Sequence, residues 1–283
     1  METLRRFARL IKLEHTLFAL PFSLGSLILA ARGWPPRPVL GWVLLAIVSG
    51  RSFAMAMNRV IDRHIDARNP RTSGRELPSG QLSLRDVYLF IAVTGALLVW
   101  AVGHLPPLCM RLLPVAMTLL IGYSYTKRFT ALCHVVLGVT LATPVIGARI
   151  ALLGVWEWSS LWLGLAVASW VCGFDVLYAC QDIEFDRREG LHSIPARIGI
   201  PASLRLSLAL HGAVVPSLTA FGFAHGYPWR YFLGMAAIAT ILIWEHTICR
   251  DGDLRRVEAA FFDANVMVSL TFLATAIFTS GAL

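Results

Sequence analysis

The sequence predicts an all-α polytopic membrane protein, a single bundle of nine transmembrane helices around a central cavity, built from two related halves. Three observations predict it. Hydrophobic residues make up 57% of the 283 and charged residues only 15%, with a mean hydropathy of +0.65. A soluble domain averages about 45–50% apolar and about 25% charged. The apolar excess falls in blocks of about 18–25 residues, enough for a helix to cross a hydrocarbon core of ~30 Å, and the blocks do not alternate with the period of two that a membrane strand needs. Finally, an acidic pair at four-residue spacing occurs twice, with 120 residues separating Asp62 from Asp182 and Asp66 from Asp186. Most of the chain is intramembrane, so 1–283 reads as one domain.

Residues 1–15 form its lead-in. Arg5, Arg6, Arg9 and Lys12 are interleaved there with Leu4, Phe7, Leu10 and Ile11, the pattern of an amphipathic helix lying on a membrane interface. It is not read as a cleavable signal, because no small-residue cleavage site follows. The first span is expected at 16–31, with ARGWPPRP turning the chain outside. The second runs from Val39 into the first acidic motif, the third covers 87–102, and the fourth follows Pro106-Pro107 at 112–125. Lys127 and Arg128 mark an inner loop, 132–153 is the fifth span, and the tryptophans of GVWEWSS form an outer interfacial belt. The sixth, 161–180, delivers the second acidic motif to the inside. The seventh, eighth and ninth cover 204–223, 231–249 and 259–279.

Charge supports this count. With the N-terminus inside, the outer segments hold only Arg32, Arg37, Arg111 and Arg230, and the other basic residues outside the spans fall on the inner side, as the positive-inside rule requires. Both acidic motifs then face the cytoplasm of a bacterial inner membrane, and the C-terminus lies outside. The net charge of +8 does not indicate nucleic acid, because its basic residues sit in short loops and form no broad soluble face. The five cysteines lack metal or CxxC spacing and read as small core residues.

The chain is organised around NRVIDRHIDARNPRTSGRELPSG, residues 58–80. Asn58, Asp62 and Asp66 stack on one helix face about one turn apart. Like charges at that spacing cost helix stability unless a cation sits between them. Arg63, Arg68, Arg71 and Arg75 follow, a row better suited to a polyanion than to a bare metal. Carboxylates, an amide and guanidiniums together read as a site for metal plus diphosphate. Asp182 and Asp186 repeat the arrangement, followed by Arg187, Arg188 and Arg197.

These motifs resemble those of the UbiA superfamily of intramembrane aromatic prenyltransferases. The matching pieces are Asn58, Asp62 and Asp66; Arg71, Arg75 and LPSG at 77–80; YSYTKRFT at 123–130; and the segment around Asp182 and Asp186. One departure is visible: many members carry Asp where this chain has Arg59. The wording NPRTSGRELP and DVLYACQDIEFDRREGLHSIPARIG is closest to the 4-hydroxybenzoate polyprenyltransferase-like branch, including members attributed to a menaquinone route with a dihydroxynaphthoate acceptor.

The resemblance implies transfer of a polyprenyl group from an allylic diphosphate to a ring carbon of an aromatic hydroxy acid, in ubiquinone or menaquinone biosynthesis, with two Mg²⁺ ions. It assigns Asn58, Asp62 and Asp66 to one metal and Asp182 and Asp186 to the other. Arg71, Arg75, Lys127 and Arg128 would clamp phosphate oxygens, and Tyr123 and Tyr178 would border the allyl cation. Arg51, two turns before Asn58, is the expected acceptor-carboxylate ligand, since a charge at such depth faces a cavity and has a partner. Arg149 is the alternative, unless it is a structural partner of a buried acid. Asp175 would orient one of these cations or the acceptor hydroxyl.

Other readings compete. Arg63, Arg68, Arg187 and Arg188 also serve as topology charges, and His134, His192 and His246 read as satisfied polar groups because zinc spacing is absent. A secondary transporter would suit two halves, but its ion site belongs near the midplane, with broken helices. A CDP-alcohol phosphotransferase would need a denser acidic motif than this chain carries.

Overall fold

The computed structural model describes residues 2–12, 16–249 and 254–282. The end of the lead-in (13–15) and Arg250 and Asp251 of the last inner loop lie outside the described residues. Every regular element among the described residues is helical: α1 (Glu2–Leu10), α2 (Thr16–Ala31), α3 (Arg37–Arg68), α4 (Leu84–Gly103), α5 (Pro107–Thr126), α6 (Cys133–Leu153), α7 (Ser160–Ala179), α8 (Ile183–Glu189), α9 (Ile194–Ile198), α10 (Ile200–Ala224), α11 (Trp229–Cys249) and α12 (Leu254–Ser280). A 3-10 turn, Cys180–Asp182, joins α7 to α8.

Eight of the described helices are long and apolar enough to cross a membrane, and a shorter apolar helix, Leu20–Ala31, stands where the first span is expected. The protein is an integral membrane protein of the nine-helix kind that the sequence predicts. The largest departure in length is α3. Its 32 residues reach about 48 Å at 1.5 Å per residue, well beyond a ~30 Å core. The first acidic motif rides on that excess length.

The chain divides into two compact units. One comprises Met1–Thr16 and Arg37–Tyr125; the other comprises Leu17–Pro36 and Thr126–Leu283. In the first unit, α1, α3 and α4 share a core of Leu10, Phe53, Ala56, Val60, Val87 and Ile91. Phe7 stacks on Phe90 at 4.8 Å, so the apolar stripe of the lead-in is buried against protein. Arg6 donates to the Gln81 carbonyl at 2.9 Å and Arg9 to Glu76 at 3.3 Å, which ties α1 to the loop after the motif.

In the second unit α2 packs into a core formed with α6, α7, α10, α11 and α12. Phe22 stacks on Phe272 at 4.4 Å and tilts against Trp170 at 4.9 Å, and Ser26 donates to the Val145 carbonyl at 2.7 Å. Helices α6 and α7 approach closely at Gly138, where a Cβ would run into the Ala168 carbonyl. Trp34 donates to the Ala282 carbonyl at 2.7 Å, so two segments expected on the same membrane side meet.

Candidate functional site

In the first unit, Asp62 and Asp66 are 2% and 5% exposed, stacked one turn apart on α3. Buried carboxylates need compensation, and this protein supplies it. Nη1 of Arg75 donates to both Asp66 oxygens at 2.8 Å. Arg59, itself buried, places Nη1 4.0 Å from Asp66 and donates from Nε to the Leu10 carbonyl at 3.2 Å. The following loop folds back because Thr72 donates to the Asp66 carbonyl at 3.0 Å and Asn69 accepts from the Arg71 amide at 2.9 Å. Arg71 lies exposed on that loop.

Asn58 is turned with its Nδ2 toward Asp62 (3.0 Å) and Ser124 (3.1 Å), and its Oδ1 toward Arg59 (3.5 Å). It offers Asp62 a donor, so in this geometry it orients the carboxylate and its oxygen is directed away from a metal ligand position beside Asp62. Tyr123 donates to the Ala54 carbonyl on α3 at 3.4 Å, one turn before Asn58, so the expected cation-bordering ring lies against the helix that carries the first motif.

The second motif is built differently. Asp182 sits in the 3-10 turn with φ −107° and ψ 7°, and Asp186 lies on α8, so the pair does not stack on one continuous α-helix. Asp186 accepts a 2.6 Å hydrogen bond from Ser193. The Ser193 hydroxyl also accepts from the Ala196 amide and so caps α9. Gly190, at φ 66°, closes α8 in the left-handed region that glycine adopts without steric cost. The His192 amide donates to the Lys127 carbonyl at 2.7 Å, bringing the Lys127–Arg128 loop to the motif.

Asp175 pairs with His134 at 2.6 Å, and the Ile194 amide donates to the other ring nitrogen of His134 at 3.3 Å. The imidazole therefore carries its proton on Nδ1 and presents it to Asp175. The expected partners of Asp175 were a cation or a substrate hydroxyl; the structure gives it the histidine. Tyr178 is half-buried against the core of this unit.

Arg149 has a set of partners of its own. It lies at the far end of α6 from His134, where Glu157 accepts from its Nη2 at 2.6 Å and Ser160 from its Nε at 3.1 Å. Its guanidinium also lies 5.0 Å over the Phe221 ring. Desolvation, with Arg149 alongside, lowers the His225 imidazole below its ordinary pKa. These are the partners that the structural alternative to acceptor binding calls for.

The donor set fits Mg²⁺. Each motif supplies two carboxylates, and Mg²⁺ is held through one or two carboxylates plus substrate phosphates while keeping several waters. Among the described residues no group of three or more His, Cys, Asp or Glu forms a ready-made metal cage, which is the form a Zn²⁺ site would take. Arg59 and Ser193 escaped the sequence reading. The signal for Arg59 was the motif departure itself, and for Ser193 the Ser-Ile-Pro pattern of a capped helix start. The pairing of His134 with Asp175, 41 residues apart, left no local signal.

Comparison with known proteins places this architecture. The chain belongs to the UbiA prenyltransferase family, whose model matches residues 19–274. It is an enzyme of the prenyl-transferring class. The chain is 30% identical over 260 residues to the 4-hydroxybenzoate octaprenyltransferase of Shewanella sediminis, covering 92% of this chain and 91% of that protein. Among solved structures it resembles the apo form of a UbiA homolog from Aeropyrum pernix, at 32% identity and a TM-score of 0.86, covering 94% and 98% of the two chains. A UbiA homolog from Archaeoglobus fulgidus, solved bound to DMAPP and Mg²⁺, shares the fold at a TM-score of 0.72 and 17% identity, over 98% and 100% of the chains.

Proposed function

We propose that the protein transfers a polyprenyl group from an allylic polyprenyl diphosphate to the ring of an aromatic hydroxy acid. 4-Hydroxybenzoate is the acceptor favoured by the curated relatives. The observation that carries this reading is the first motif: two buried carboxylates on one helix face, flanked by Arg59 and Arg75. Such a site is built to manage concentrated negative charge.

Asp62 and Asp66 hold one Mg²⁺ and Asp182 and Asp186 a second, with Asn58 orienting Asp62. Mg²⁺ bound there supplies charge neutralisation to the departing diphosphate. Arg71 and Arg75 beside the first motif, and Lys127 and Arg128 beside the second, clamp phosphate oxygens as their charge grows. The allylic C–O bond breaks, and the cation is bordered by the faces of Tyr123 and Tyr178. A ring carbon ortho to the acceptor hydroxyl then bonds to it and loses its proton. Arg51 holds the acceptor carboxylate. The basic inner loops orient the N-terminus and the site toward the cytoplasm.

Purified protein in nanodiscs, given Mg²⁺ and an allylic diphosphate, is expected to prenylate 4-hydroxybenzoate and to stop with EDTA. A parallel assay with a dihydroxynaphthoate decides the acceptor. Absence of product from either acceptor, with diphosphate still bound, would discard the acceptor assignment and keep the diphosphate site.

A further inference from the structure

The motif residue that the proposed chemistry leaves without a task is Arg59. Its side chain is 6% exposed, and a buried guanidinium is expensive unless its donors are used. Nε is committed to the Leu10 carbonyl at the end of α1, a backbone acceptor whose own side chain is packed in the core of this unit. Nη1 points at Asn58 Oδ1 and at Asp66. Arg75 reaches the same Asp66 from a side chain 22% exposed, so it is free to swing toward a phosphate. Arg59 is not.

The consequence follows from donors and acceptors alone. A guanidinium only donates, an ionised carboxylate only accepts, and an amide side chain has one end of each kind. Asn58 lies between Arg59 and Asp62, so its oxygen must face Arg59 and its nitrogen must face Asp62. The observed distances, 3.5 and 3.0 Å, have that sense. While Arg59 is present, the Asn58 oxygen is turned away from any ion held by Asp62, and a fixed positive charge stands beside Asp66.

We propose that Arg59 is a positioning residue that sets the metal affinity of the first motif: anchored on α1, it locks Asn58 as a hydrogen-bond donor to Asp62 and stands as a resident cation against Asp66. Bare Mg²⁺ is thereby bound weakly, and tight binding waits for the diphosphate, which brings its own negative charge. The inference rests on the metal–diphosphate reading above.

The test is retention of labelled inorganic pyrophosphate by detergent-purified protein across a Mg²⁺ titration. Arg59→Gln removes the charge and frees the Asn58 oxygen, so the Mg²⁺ concentration at half-maximal retention should fall about tenfold, as expected when a unit positive charge leaves the neighbourhood of a divalent ion. Turnover should fall in the same variant. Arg59→Lys keeps a cationic donor facing the Asn58 oxygen and Asp66, but one ammonium cannot also hold the Leu10 carbonyl on α1. Its Mg²⁺ midpoint should stay at the wild-type value while turnover falls about tenfold.

A folded Arg59→Gln protein with an unchanged Mg²⁺ midpoint would overturn the proposal. Where Arg59→Gln does not fold, wild-type turnover in Arg59→Lys would overturn it, and the midpoint-turnover split would support it. Absence of Mg²⁺-dependent retention by the wild-type protein would instead remove the function on which the inference rests.

Discussion

The two acidic motifs share a spacing and almost nothing else. Asp62 and Asp66 lie on an uninterrupted helix, nearly inaccessible, with Arg59 and Arg75 beside them. Asp182 and Asp186 straddle a break where α7 gives way to a 3-10 turn, and Asp186 is held by the neutral hydroxyl of Ser193. Desolvated carboxylates beside fixed cations are preorganised and charge-balanced, at the cost of competing with any incoming ion. Carboxylates at a helix break, half-buried here, are more open to one. The same pair of residues four apart therefore makes two kinds of carboxylate site, and the helix beneath decides which.

The largest effect that could break this comparison comes from removing one acid at a time. Asp62→Ala and Asp182→Ala are each expected to lower kcat by about 10³, the upper range for losing one charge-stabilising group. Prenylation of 4-hydroxybenzoate measures it, and normal turnover in either variant would dismiss that motif. Next comes Arg75→Ala, which should cost about 10² in kcat. The loss should exceed that of Arg71→Ala, because Arg75 is also the near partner of Asp66; steady-state kinetics of both variants rank them.

Ser193→Ala probes the second motif more gently. It removes the hydrogen bond to Asp186 and a helix cap worth about 1 kcal/mol, so kcat should fall by about tenfold with a small drop in Tm. An unchanged kcat with a lowered Tm would reduce Ser193 to a cap. The smallest effect on chemistry belongs to Glu157→Gln, which strips the carboxylate from Arg149 far along α6 from His134. It should lower stability by about 2 kcal/mol, between the values for exposed and for fully buried pairs, and leave turnover at the wild-type value. A fall in kcat there would return Arg149 to the active site.

Much of this protein is a consequence of composition and local pattern. Long apolar blocks in lipid have to be helices, because the hydrocarbon offers no other partner for backbone N–H and C=O groups. Asp62, Asp66, Asp182 and Asp186 stand out in the sequence because acids four apart at span ends repel one another and have no packing role. The helix ends at Gly154, Gly190 and Ser193 follow short-range rules that a sequence displays.

Other features depend on residues far apart in the chain, whose pairing local pattern does not encode. That α2 packs with α6, α7 and α12 rests on how Phe22 fits Trp170 and Phe272. That Arg149 has an acid beside it required Glu157, Ser160 and Phe221 to converge on it. That Asp175 belongs to His134, and that Asn58 turns its nitrogen to Asp62, were decided by which donor or acceptor stood opposite once the helices had packed. An amide or an imidazole carries both possibilities in its own chemistry, and only its neighbours in space choose between them.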